Sequence, residues 1–300
     1  MTGPVNLPQE GPACDQTVCL PGHVRTTRWA GRIRVLETWY DEDPSPQEDY
    51  DLWISHQRTR PVSRWRWLYF YTLHVDLRLP QEQILANMRK NYVRDIKAGE
   101  TKDGLVCEIN PAPTEQDLTD FTRFYDANPG SPDQQPAALE RYREFWGAGL
   151  IHLSQVRNPE GGILAAHCLL CLKGSRTIQL SAQVSLRSGD QQKSLGTAVG
   201  RANRWLFYRE FLYYKGQGLE TYDLNGWYAG VTDQRRLQIN QFKEGFRGRL
   251  LYGFDCEEPK GPMGWLYVIL RAIQVRLFHP DRMRDLRRRR KKAPRLPEPE

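Results

Sequence analysis

Apolar residues recur at helical spacing at Ile84, Leu85, Met88, Tyr92 and Ile96, which predicts a helix over Gln81–Gly99, opened by Pro80 and closed by Gly99. Thr114–Ala127 has the same amphipathic period, and Thr114 and Asp117 are placed as a capping box with Asp in the usual Glu position. Ala137–Ala148 is a third helix, and Leu105–Ile109 reads as a strand between the first two. Three apolar runs follow, Leu150–Val156, Ile163–Leu172 and Thr177–Val184. The turn-forming stretches Asn158–Gly162 and Lys173–Arg176 separate them, so they predict an antiparallel meander. Upstream, Arg32–Tyr40 is a candidate first strand that runs into an acidic, proline-broken loop, Asp41–Asp51, and the aromatic-rich Trp65–Leu77 is β-like. Downstream, beyond Ser188–Ser194, a long helix at Thr197–Lys215 leads to a short strand (Leu219–Leu224), a helix (Gln234–Phe246) and a further strand (Arg249–Phe254). Helical pattern returns over Met263–Lys292, with a break expected at Pro280.

Helices, then a meander, then helix–strand–helix–strand is the order of an α/β (α+β) fold. The sheet should be mixed and largely antiparallel, with a crossover near its end and helices flanking it. The division expected is a flexible N-terminus at 1–24, a main domain at 25–258 and a C-terminal helix with a basic tail at 259–300.

Charge changes this picture in one place. The formal net charge is +7, but the segment 282–295 alone holds nine Lys/Arg and one acid, so the rest of the chain is near neutral. Basicity is therefore a property of the tail, and it does not argue that the body binds nucleic acid. The apolar, helical Trp265–Phe278 precedes that tail. Aromatic and aliphatic side chains followed by a basic run suit an in-plane anchor on an anionic membrane surface through residues 265–295; capture of tRNA by the basic end is another reading, and packing of the helix on the domain a third. No apolar run approaches the ~20 residues of a spanning helix. Residues 1–24 lack an apolar signal core, and the six cysteines show no secreted framework, so a reducing cytoplasm, with membrane contact peripheral at most, is the expected compartment. Cys168 and Cys171, three apart on a strand, point to opposite faces and offer no metal pair.

The most informative stretch is Gly218–Gly253. Asp223 lies near a strand end, where a carboxylate could bind an amine or accept its proton, or simply form the turn that follows. Strand alternation turns Tyr222 to the opposite side. Lys243 falls at a helix C-terminus, where an ammonium complements the dipole and could meet a developing oxyanion. Arg89, Lys90, Arg94 and Lys97 share one helix, either as phosphate contacts or as a solvated face.

Over roughly residues 65–255 the chain resembles the GNAT superfamily, and within it the Fem-type transferases (the FemA, FemB and FemX peptidyltransferases). The motifs that carry the resemblance are TYDLNG at Thr221–Gly226, similar to the family's YDFGG, and Phe242–Lys243 followed by Gly245–Phe246. Met88–Ile109 is similar to the basic helix that leads into a Gly-initiated strand in Fem proteins. The resemblance implies transfer of an aminoacyl group from aminoacyl-tRNA to an amine on a small molecule, peptide or cell-wall precursor, with no bound cofactor and no metal. It implies Lys243 and Asp223 as catalytic residues, Lys243 stabilising the tetrahedral intermediate. Phe242, Tyr222, Asn225, Arg89, Lys90 and Arg94 become candidate substrate contacts, Asn225 standing where the family has glycine. A reduced partner of the main unit is expected near 25–75, and no coiled-coil arm is present. The superfamily also contains acyl-CoA enzymes, whose pyrophosphate loop leads into a helix. Lys193, Ser194, Gly196 and Thr197 occupy that place here, with acyl-CoA as the alternative donor, and equally suit a plain helix N-cap.

Overall fold

The computed structural model describes residues 24–28, 32–62, 67–130, 136–187 and 193–278. Ten strands form one sheet: β1 (Val24–Arg28), β2 (Ile33–Trp39), β3 (Leu52–Arg58), β4 (Trp67–Asp76), β5 (Val106–Asn110), β6 (Ile151–Arg157), β7 (Ile163–Leu172), β8 (Thr177–Ser185), β9 (Thr221–Asp223) and β10 (Arg249–Pro259). Their order across the sheet is β1-β2-β3-β10-β4-β9-β8-β7-β6-β5. All neighbours pair antiparallel except β2 with β3 and β8 with β9. The meander β6–β7–β8 lies where the alternating runs and their turns placed it.

Among the described residues seven helices flank the sheet: α1 (Gln81–Asn87), α2 (Lys90–Thr101), α3 (Glu115–Ala127), α4 (Leu139–Gly147), α5 (Lys193–Gly216), α6 (Gln234–Glu244) and α7 (Gly261–Phe278). Alternation along β7 separates two cores. Ala165, Leu169 and Cys171 join the core under α1, α2, α5 and α6, while Ala166, Cys168 and Leu170 join the core under α3 and α4. Trp39 belongs to the second core, and Ile33 and Val35, three and two alternations away on β2, pack with Tyr267 and Val268 of α7. Helix α7 thus shares a face with α3 and α4. The first core is aromatic: Phe207, Phe211, Tyr214, Tyr222 and Phe246 are all buried in it, and each such ring removes enough apolar surface from water to contribute about 2 kcal/mol or more.

Three expectations are corrected. The helix expected over Gln81–Gly99 is two helices, because Met88 is extended (ψ 160°) and the chain restarts with Arg89 as N-cap. The break has a tertiary cause: the Arg89 N–H donates to Gly245 O at 3.0 Å, a bond that an uninterrupted helix would claim. Strands β1 and β3 were not expected, and they extend the sheet beyond β10 so that residues 24–58 complete its edge. The long helix begins at Lys193, which places Lys193–Thr197 in its first turn and not in a loop before it. The expected capping box is present, with the Thr114 side chain accepting from Asp117 N and Asp117 accepting from Thr114 N. The break expected at Pro280 lies outside the described residues.

Candidate active site

A wedge opens in the sheet beside β9. Strands β8 and β9 pair only over Thr177–Gln179 and Thr221–Asp223. Beyond Asp223 the chain stays with β4, Leu224 N donating to Leu73 O (2.9 Å) and Trp227 N to Tyr71 O (2.7 Å), while β8 continues to Ser185 beside β7 alone. The parting of 224–227 from β8 leaves a gap at the C-terminal end of two parallel strands, the place where open α/β sheets hold ligands. Asn225 sits at its apex with φ 57°. That left-handed conformation costs Asn less than other side chains, which accounts for Asn in a glycine position. Its Nδ2 donates to Leu180 O at 2.8 Å, tying the two sides together.

Helix α6 presents a polar inner face to this wedge, for its buried residues are Asn240 and Lys243. Asn240 accepts from Tyr228 N (3.0 Å) and donates to Tyr228 O (2.7 Å). The Lys243 ammonium donates to Asn225 O and Gly226 O, both at 2.6 Å. An ammonium has three N–H groups, so these two bonds leave one unused by the loop. Lys243 is 7% exposed. Burial lowers its pKa to about 8, and the Asp223 carboxylate acts in the opposite direction.

The Phe-Lys-x-Gly-Phe motif is legible in these terms. Tyr92 OH donates to Phe242 O at 2.9 Å, and Arg89 donates to Gln241 O (3.2 Å) and pairs with Glu244 (2.8 Å), so the start of α2 grips the end of α6. A Cβ at position 245 would fall within the Tyr92 ring, which requires glycine there. Phe246 is buried against Phe207, and Phe242 packs at the rim of the same core. These contacts aim Lys243 at the loop.

Asp223 is closed. It is fully buried, and its oxygens receive Gln57 Nε2 (2.9 Å), Gln179 Nε2 (2.9 Å), Thr72 Oγ1 and Asn225 N (2.7 Å). His74 Nε2 lies 3.6 Å away and Tyr40 OH 3.5 Å. Burial by itself raises a carboxyl pKa; the neighbouring His74 ring and the bonds of Gln179 and Thr72 outweigh it and hold this one well below the usual carboxylate range. An ionised carboxylate with every lone pair engaged is a poor base, so the role that fits Asp223 is electrostatic, opposing the loss of the Lys243 proton. Beyond Gln57 and Gln179 lies a cavity of about 300 Å³, lined among others by Trp39, His56, Phe70, Tyr142, Ser181 and Asn225.

The other sequence candidates are scattered. Tyr222 is not at the wedge: it is fully buried on the opposite face, its hydroxyl donating to Glu210 Oε2 at 2.6 Å. Arg89 serves the α2–α6 junction. Lys90 and Arg94 are exposed on α2, Arg94 beside Asp95. Gly196 and Thr197 are exposed in the first turn of α5. Cys168 and Cys171 lie on opposite faces, as alternation requires.

Sequence reasoning missed the partners of Asp223, which come from β3, β4 and β8. It also missed two further clusters. Glu210, fully buried on α5, accepts from Ser154 Oγ and Tyr222 OH and bonds His167 Nδ1 at 2.8 Å, and His167 Nε2 meets Asn203 Oδ1 at 2.8 Å. On the other face the fully buried Glu37 holds both terminal nitrogens of Arg141 and bonds His56 Nε2 at 2.9 Å. Burial opposes the charged form of each partner, yet these bonds lower the pKa of Glu37 and raise that of His56. A Gln or His in a polar stretch of strand carries no signal that it turns inward. Only the helix position of Glu210, three before Tyr213 and four after Leu206 on an apolar stripe, marks it as a buried carboxylate.

No family model matches the chain, and no curated protein matches it. Solved structures show a distant similarity. FemX is similar with a TM-score of 0.49 and 14% identity over 62% of this chain and 61% of that one, so the likeness spans less than two thirds of FemX. L-PGS from Bacillus licheniformis is similar with a TM-score of 0.49 and 12% identity over 80% of this chain and 85% of that one. The C-terminal domain of a protein described as a lysylphosphatidylglycerol synthetase from Agrobacterium fabrum gives 0.49 and 13% over 85% and 89%. The sheet, with its meander, crossover and flanking helices, is the mixed, largely antiparallel α/β arrangement expected from the sequence. Among the described residues no helix is long and apolar enough to cross a membrane.

Proposed function

We propose that the chain is an acyltransferase that forms an amide by aminolysis of an activated acyl group, with aminoacyl-tRNA as donor and an amine as acceptor. The observation that carries this reading is Lys243, a buried ammonium fixed by two carbonyls at the apex of the wedge with one N–H to spare. In such a reaction the neutral amine attacks the ester carbonyl, a C–N bond forms, and the carbonyl π pair becomes an alkoxide. Collapse of the alkoxide breaks the C–O bond and expels the ribose hydroxyl, which takes up the proton lost by nitrogen. A preorganised cation at the alkoxide lowers that barrier by about 3–4 kcal/mol. Asp223 keeps the lysine charged without competing for the substrate, and the 300 Å³ cavity beside it has room for the acyl side chain or the acceptor.

Acyl-CoA is the second donor considered, favoured by the exposure of Gly196 and Thr197 in the first turn of the 24-residue helix α5, where the helix N-terminus could meet a pyrophosphate. Thermal unfolding of the full chain with charged tRNA, uncharged tRNA and acyl-CoAs tests both. Ligand at about a hundred times its dissociation constant adds about 2.7 kcal/mol. A shift with charged tRNA above that of uncharged tRNA is the expected result; a shift with acyl-CoA alone moves the donor to CoA, and no shift with any of them overturns the reading.

A further inference from the structure

Helix α7 is apolar on both sides. Its inward side carries Gly264, where a Cβ would collide with Asp51 O, Tyr267 and Val268, which pack with Ile33 and Val35, and Arg271, which pairs with Glu257. Its outward side carries Met263, Trp265, Leu266, Ile269, Leu270 and Ile273, which are 37–51% exposed. At 100° per residue these six positions fall on one continuous arc opposite Gly264 and Arg271. A helix that stands on a soluble domain ordinarily turns polar and charged residues outward, and the outward side of α7 departs from that rule. Six large apolar side chains in one contiguous patch exceed the scattered exposure of an ordinary surface.

The chain that follows α7 holds the charge of the molecule, nine Lys/Arg and one acid between 282 and 295. We propose that α7 and this segment together dock the protein in the plane of an anionic lipid surface, the apolar arc entering the headgroup boundary and the basic segment meeting lipid phosphates. The pairing selects this occupant over others. Leu266, Ile269, Leu270 and Ile273 have nothing to offer an RNA phosphate, which would use the tail alone. A second copy of the chain would add a second strongly basic segment, which like-charge repulsion opposes. An apolar helical face followed in sequence by a cationic run is the composition of a segment that lies in a membrane interface. Docking does not depend on the reaction assigned above. A flank of α7, through Arg271, also borders a cavity of about 550 Å³ that reaches Glu37, His56 and Arg141, and the latter two also line the cavity beside Asp223.

Co-sedimentation of the full chain with phosphatidylcholine vesicles, with and without phosphatidylglycerol, tests the proposal. Two variants are compared: a triple L266S/I269S/I273S, whose positions are exposed and do not support the core, and one with residues 287–292 changed to glutamine. Binding to the phosphatidylglycerol vesicles is expected, falling about tenfold or more in each variant and weakening with salt. The proposal is overturned if the unaltered protein stays in the supernatant with both vesicles, tRNA binding through the tail included. It is also overturned if the triple variant sediments like the unaltered protein, or if the unaltered protein is a dimer that the triple variant turns into a monomer.

Discussion

Two buried polar clusters flank strand β9, one on each face of the sheet. Tyr222 points into the first, where Glu210, His167, Asn203 and Ser154 satisfy one another in the interior under α5. Asp223 points into the second, which also closes around its carboxylate but meets Lys243 where the chain after β9 parts from β8. Adjacent residues of one short strand thus serve two ends. The Glu210 cluster is sealed, and each of its polar groups compensates the desolvation of another. The Lys243 cluster retains a cation whose hydrogen bonds are not all spent. Burial alone does not distinguish the two clusters, since both have it; an incompletely used charge at a break in the sheet does, and the proposed function rests on that difference.

The largest effect that would sharpen this contrast concerns the sealed cluster. Glu210→Ala deprives Ser154, His167 and Tyr222 of one acceptor, and should destabilise the fold by about 3–5 kcal/mol in urea titration. At low temperature the folded fraction should keep its transfer rate. If Glu210→Ala left stability unchanged and abolished transfer, the assignment of roles to the two faces would be inverted.

The next effect is one of pH. Lys243 has its pKa lowered to about 8 from 10.5. As an ammonium it is present below that value, so the transfer rate should decline as pH rises through about 8, tending to a tenfold fall per unit. Its contribution to stability runs the other way. The folded state disfavours the charged form below about 8, and from there to 10.5 it has released a proton that the unfolded chain still binds, so stability rises with pH over that window. Asp223→Asn removes the opposing charge and should move the decline in rate to lower pH, read from rate profiles of both proteins. A profile flat from pH 7 to 10 would count against a titrating lysine.

Smaller still, Tyr222→Phe leaves one oxygen of Glu210 short of a donor and should cost about 1–2 kcal/mol by urea unfolding, with transfer within twofold of the unaltered protein.

The legible parts of the molecule were those whose cause is local. Ile163–Leu172 is a continuous apolar run between turns and is strand β7 end to end. The Thr114–Asp117 box is set within four residues. Strand β3, Leu-Trp-Ile-Ser-His-Gln-Arg, was not legible because its polar residues are buried by partners far away: Gln57 reaches Asp223 across 166 positions, and Trp53 Nε1 donates to Thr38 Oγ1. The break after Met88 depends on Gly245, and the wedge depends on β4 holding the chain after Asp223 more firmly than β8 does. Lys243 was found through its motif. That its two carbonyl partners and Asp223 would bracket it followed from the sheet alone.

The most direct test of the central claim is the single-turnover transfer rate of Lys243→Ala, measured with the donor identified by thermal shift and with folding verified by circular dichroism. Loss of the cation at the alkoxide predicts a fall of about 10²–10³-fold. A rate within twofold of the unaltered protein would contradict the account.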